Sequence, residues 1–163
     1  MKKVYRHELI EISIPANSTA TQFKIPDQPN LRNMKLVGIS AYAQENTPAS
    51  PISQQAVITE AEMKKVYLTL QDNSGDQFVN LSPLSNYRTI ESTAATPNIE
   101  RDFKSFTGQI VNYPKSFITM SSALGNTADE VVLLSIWYLD PAKGNSTATF
   151  GNKNGGPPAK KQC

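Results

Sequence analysis

Apolar residues recur at every second position in several short stretches of this chain, and a proline or a polar loop closes almost every one. In Leu9-Ile10-Glu11-Ile12-Ser13-Ile14 the three isoleucines share one face, and Pro15 follows. A period of two predicts a half-buried strand, because successive side chains of an extended backbone point to opposite faces. Residues 21–25 (TQFKI) repeat the pattern up to Pro26, and residues 26–33 (PDQPNLRN) have the composition of a turn. Residues 34–42 predict a longer strand with Val37 and Ile39 on one side. Gly38 in its middle marks a bulge or a close backbone approach.

Beyond the two prolines of residues 45–51 (ENTPASP), residues 56–59 predict a short strand and residues 60–65 a single helical turn. Residues 66–70 (VYLTL) and 77–81 (QFVNL) alternate again. Between them Asp72-Asn73-Ser74-Gly75-Asp76 supplies the Asn and Gly that a hairpin loop needs for positive φ angles. Residues 83–101 predict a long irregular connection, with a weak helical tendency at 99–103. Two more strands are expected at 106–111 and 116–120, then a loop at 123–129. Residues 130–139 (EVVLLSIWYL) are apolar on both faces, as a central strand covered from both sides would be. The run is long enough for a helix, but its β-branched and aromatic content and the Pro141 beyond it favour a strand.

Short strands without alternating helices place the chain in the all-β class, as an antiparallel β-sandwich. About eight strands joined by some long loops fit a single jelly roll better than an immunoglobulin-like domain. The 163 residues suffice for one core, assigned to residues 1–143. Residues 144–163 (GNSTATFGNKNGGPPAKKQC) change character and read as an extended C-terminal arm. With Phe150 as its one aromatic residue, this arm cannot bury enough apolar surface to order itself alone.

Charge sharpens the division. Taking Lys153, Lys160 and Lys161 from the net +2 leaves residues 1–152 at −1. The body therefore lacks the surplus of a dedicated nucleic-acid binder, and only the tail could touch nucleic acid, lipid or an acidic neighbour. Met1-Lys2-Lys3-Val4-Tyr5-Arg6-His7-Glu8 starts like a signal peptide but continues with charge where the apolar region belongs. No apolar run reaches membrane-spanning length. The one cysteine, Cys163, leaves no internal disulfide framework, as expected of a chain that folds in a reducing cytoplasm.

Candidate chemistry is sparse. His7 has no second histidine or internal cysteine to join it, and reads as a surface or interface side chain. Cys163, after a Gly-Pro run, lacks the fixed electropositive pocket of a catalytic thiol. The carboxylates show no catalytic spacing, and the Asp72–Asp76 loop lacks the distal glutamate of a calcium loop. Phosphate-binding glycine loops, HExxH and GxSxG are absent from the sequence. Trp137 and Tyr138 could stack on a sugar or a base, but in so apolar a strand core packing is the plainer reading. The expectation is a non-enzymatic protein without cofactor, metal or small-molecule substrate.

The strand pattern from Leu9 to Leu139, with terminal arms, resembles the single jelly-roll capsid proteins of icosahedral viruses. In particular it resembles the small vertex (penton-like) proteins of tailless bacteriophages, such as phages of flavobacteria. The resemblance is one of architecture and rests on no shared signature motif. It implies a structural virion protein, made in the host cytoplasm, whose partners are other copies of itself, a major capsid protein and a spike protein. It implies assembly contacts in the terminal arms, at Lys2, Lys3, Tyr5 and Arg6, and at Phe150, Lys153, Pro157, Pro158, Lys160 and Lys161. The alternative is a carbohydrate- or receptor-binding β-sandwich module, as in a spike or adhesin, with Tyr42, Tyr87 or Tyr113 forming a sugar platform.

Overall fold

Nine strands and one short helix form in residues 5–89 and 104–139, the part of the chain described by a computed structural model. The strands are β1 (Tyr5–Ile14), β2 (Gln22–Lys24), β3 (Leu36–Tyr42), β4 (Ala56–Val57), β5 (Val66–Gln71), β6 (Gln77–Pro83), β7 (Lys104–Ser105), β8 (Phe117–Met120) and β9 (Glu130–Leu139). Helix α1 (Glu60–Met63) is one turn, nucleated by a capping box in which Thr59 and Glu62 satisfy each other's backbone N–H.

The pairing has a simple order. At the centre is the β5–β6 hairpin, closed by the Asp72–Asp76 loop with Gly75 at φ +96°. Moving outward along the chain on both sides, β3 pairs with β7, β2 with β8 and β1 with β9, all antiparallel. The chain is thus one long double-stranded ribbon folded back at the hairpin. Further pairings of β9 with β3 and of β8 with β5 roll this ribbon into two sheets, ordered β1-β9-β3-β7 and β2-β8-β5-β6. The two-residue β4 adds to β9 in parallel, beyond the end of β3. The expected antiparallel sandwich is present.

The core lies between the sheets. Ile10, Ile12 and Ile14 of β1, Val132, Leu134 and Ile136 of β9, and Leu36, Ile39 and Ala41 of β3 face Val66, Leu68 and Leu70 of β5 and Ile118 and Met120 of β8. Each fully buried Ile or Leu contributes about 1.5–3 kcal/mol, so the alternating residues are the main source of cohesion. On the opposite face of β9, Val131 and Leu133 join Val57 in a second cluster, flanked by Leu9 and Tyr42. The both-sided apolar pattern at the start of β9 therefore has its cause in Val57, Leu9 and Tyr42, which pack on that face.

Several local expectations need correction. The strand expected at 106–111 does not form. Gly108, at φ +88°, breaks the extended backbone, the ladder to β3 sits at Lys104–Ser105, and only isolated bridges at Ile110 and Val111 remain. In β3 the bulge expected at Gly38 exists, but it changes the register between Leu36 and Gly38. Leu36 and Ile39 therefore share the core face, whereas Val37 is partly exposed. Strand β1 begins at Tyr5, so the expected N-terminal arm overlaps the sheet by two residues. Residues 90–103 and 140–163, including the expected helical tendency at 99–103 and the C-terminal arm, lie outside the described residues.

Two details are open to measurement. Asn126, 7% exposed, donates from Nδ2 to the carbonyls of Ile14, Pro15 and Ala128 and so ties the end of β1 to the loop that starts β9. Asn126→Ala leaves these acceptors unpaired and should lower stability by about 1–3 kcal/mol, read by denaturant unfolding. In β6, Asn80 and Leu81 bulge opposite Thr69, and Leu81 holds φ +44° while 53% exposed. Leu81→Gly removes the side-chain clash of that left-handed backbone and should stabilise by about 1 kcal/mol or less in the same assay.

Candidate functional site

The sequence-predicted contact residues separate on the structure. Tyr5 and Arg6 stand in β1, opposite Leu139 and Tyr138 of β9. Lys2, Lys3, Phe150, Lys153, Pro157, Pro158, Lys160 and Lys161 lie outside the described residues. The structure therefore joins the N-terminal pair to the edge of a sheet and leaves the C-terminal set unplaced.

On the outer face of the first sheet, His7 and Trp137 are cross-strand partners, and their rings stack with centroids 4.7 Å apart. The imidazole Nδ1 lies 3.1 Å from Ser135 Oγ, and Trp137 Nε1 donates to Ser40 Oγ at 3.3 Å. A Ser–His contact invites comparison with a nucleophile and its base. Ser135, however, is 0% exposed beneath the two rings, so no substrate carbonyl can reach its Oγ. The cluster is a structural one, with apolar rings over hydrogen-bonded hydroxyls. Trp137 is thus not a core residue as expected, because its odd position in β9 turns it outward; Tyr138 packs against the main core.

Carboxylates gather around α1. Glu62 Oε2 accepts from the Thr59 N–H and hydroxyl, Glu60 pairs with Arg88 at 2.8 Å, and Glu45 accepts from the Glu60 N–H. Glu130, at the start of β9, has its Oε2 shut off from solvent without a partner among the described residues. Burial, and secondarily the charge of Glu62, push its carboxyl above the usual carboxylate range. Glu62 is already committed to the cap of α1, so the two acids divide into one structural group and one strained group. Among the described residues no three His, Cys, Asp or Glu side chains converge as a metal site.

The Asp72 carboxylate accepts from the Ser74 hydroxyl and the Asp76 N–H, the internal bonding of a turn. These bonds, the Ser74 hydroxyl first, hold its carboxyl below the ordinary range. Beside this loop a shallow depression of about 270 Å³ is lined by Asp27, Arg32, Asn33, Asn73, Asn112 and Pro114. Asp27 and Arg32 bond each other across its rim. A second depression, of about 440 Å³, continues past Pro114 along Lys24, Gln71 and Phe117 on the outer face of the second sheet. Both are open surface features. Their amide-rich lining can offer hydrogen bonds but no converging acid, base or nucleophile.

The aromatic platform expected for sugar binding is not available at two of its three residues. Tyr87 and Tyr113 are each 3% exposed within the core, where burial raises the phenol pKa of both. Tyr42 is half-buried against the outer cluster. Sequence alternation alone does not reveal these burials, because they follow from loop positions rather than strand periodicity. The chain matches no protein-family model, no curated protein and no solved structure.

Glu130 gives a pH test. A carboxyl whose folded pKa is raised costs stability once pH exceeds its unfolded value, and the cost is complete above the folded value. Glu130→Gln should therefore raise the melting temperature at pH 7 by about 2 °C. That gain should vanish as pH falls below the ordinary carboxylate range, as read by thermal melts across pH.

Proposed function

We propose that this protein is a structural capsid component of a virion, a penton-like vertex or minor capsid subunit of jelly-roll fold. The single observation that carries the reading is the ribbon order of the strands, β1 with β9, β2 with β8, β3 with β7 and β5 with β6, rolled into two sheets of four principal strands. Setting aside the two-residue β4, this order of eight strands supports the jelly-roll reading, an architecture common among viral capsid domains. Fold alone does not specify function. Three further features point the same way. Polar groups are spent on turns, caps and loop ties. The near-neutral body carries a basic Gly-Pro-Lys extension. Among the described residues, the ten-residue β1 lies at one edge of the first sheet.

In this reading the subunit is not an enzyme and needs no cofactor. It is made in the host cytoplasm and joins other copies of itself and a major capsid protein through its sandwich walls and terminal segments. The many Ser, Thr, Asn and Gln side chains suit wet, hydrogen-bonded subunit contacts. The alternative, a glycan-binding spike or adhesin module, loses support with the burial of Tyr87 and Tyr113.

The test is composition of the particle. The protein should co-purify with an icosahedral particle in fixed stoichiometry, and a chain ending at Phe150 should fold yet fail to be incorporated. A soluble protein that binds glycans and is absent from purified particles would defeat the proposal.

A further inference from the structure

The two depressions beside the hairpin loop meet at Pro114, and together they form one groove with two unlike ends. The first end is walled by Asn33, Asn73 and Asn112 and by the Asp27–Arg32 pair. The second, at about 440 Å³, falls within the ~300–1,000 Å³ of small-molecule sites. It is lined by Gln22, Gln71, Lys24, Lys115 and the partly exposed ring of Phe117.

The strands and one turn place these groups. In β2, β5 and β8 the core side takes Phe23, Leu68, Leu70, Ile118 and Met120. Alternation therefore turns Gln22, Lys24, Gln71 and Phe117 to the outer face. Lys24 is the cross-strand partner of Phe117, so the two side chains are neighbours on that face. Between the two ends stands the 3-10 turn Tyr113–Lys115. It is anchored on both sides. The Asn112 N–H donates to the Gln71 carbonyl, and the Asn112 carbonyl accepts from the Ser116 hydroxyl. That hydroxyl in turn accepts from the Gln71 N–H. The groove is thus built on bonded backbone and needs little further ordering to bind.

Its chemistry suits a hydroxylated ring. A sugar has apolar C–H faces and hydroxyl edges, so it needs a flat apolar surface beside groups that both donate and accept. Phe117 supplies the surface, and the side-chain amides supply both kinds of hydrogen bond. Charge narrows the choice. Asp27 and Arg32 bond each other and leave the first end neutral, whereas the second has two lysines and, among its described lining residues, no carboxylate. A ligand fitted to both ends presents neutral hydroxyls to one and negative charge to the other. Single-stranded nucleic acid matches less well, because it brings a phosphate with every nucleotide and Asp72 adjoins Asn73 at the neutral end.

We propose that this groove binds an acidic oligosaccharide, with a sugar ring on Phe117, its carboxylate at Lys24 and Lys115, and further hydroxyls on Asn112, Asn73 and Asn33. The site goes beyond the capsid reading and does not depend on it.

Calorimetric titration of the full chain tests the proposal, with oligogalacturonate and hyaluronan oligomers as acidic probes. Dextran oligomers serve as the neutral probe and an oligothymidylate as the nucleic acid. At least one acidic sugar should bind more tightly than dextran and the oligothymidylate, and more weakly as salt is raised. Replacing both lysines, Lys24→Gln with Lys115→Gln, should weaken that binding by about tenfold. Phe117→Ala should weaken it by a similar factor through loss of the ring. Thermal melts establish that each variant is folded, and amide NMR shifts at Gln71, Asn112 and Phe117 should locate the ligand. Absence of binding by both acidic probes, tighter binding of the oligothymidylate, or affinity unchanged in folded variants would each overturn the proposal. A chain that binds the sugar here but is absent from particles spares this site and sinks the capsid reading. One that is incorporated but binds neither acidic probe does the reverse.

Discussion

The structure depends on β9. It is hydrogen-bonded to β1 on one side and to β3 and β4 on the other, and its two faces serve two apolar clusters. A strand in that position has no backbone group left for water and no polar face, which is why six consecutive residues from Val131 to Ile136 are buried. Because β9 is the last strand of the ribbon and β1 the first, their ladder closes the chain on itself. The other pairings lie inside that closure, so the cohesion of the fold is largely non-local.

This closure also explains where strain and polarity are stored. The ends of β1 and β9 meet at a point where Asn126 must satisfy several carbonyls and where Glu130 is held beside Glu62. The Leu81 bulge lies on the opposite edge of the second sheet, where a break in the ladder prevents the edge from recruiting a strand.

Much of the fold was legible from alternation alone. The Ile10-Ile12-Ile14 face carries a period of two, the Asp72–Asp76 loop carries hairpin residues, and residues 130–139 carry the β-branched and aromatic content that favours a strand over a helix. What could not be read were features set by distant segments. Gly108 converts an apolar run into a loop, and the bulge at Gly38 moves Leu36 into the core and turns Val37 away. Tyr87 and Tyr113 are buried from short 3-10 turns that have no strand period, so they read as surface aromatics in the sequence. The His7–Trp137 stack needed the register of β1 on β9.

The most direct test of the closed ribbon is backbone amide exchange along β1, followed by NMR. The account predicts slow exchange at Glu8, Ile10, Ile12 and Ile14, whose N–H groups face β9. Exchange at these amides as fast as in an exposed loop would contradict it.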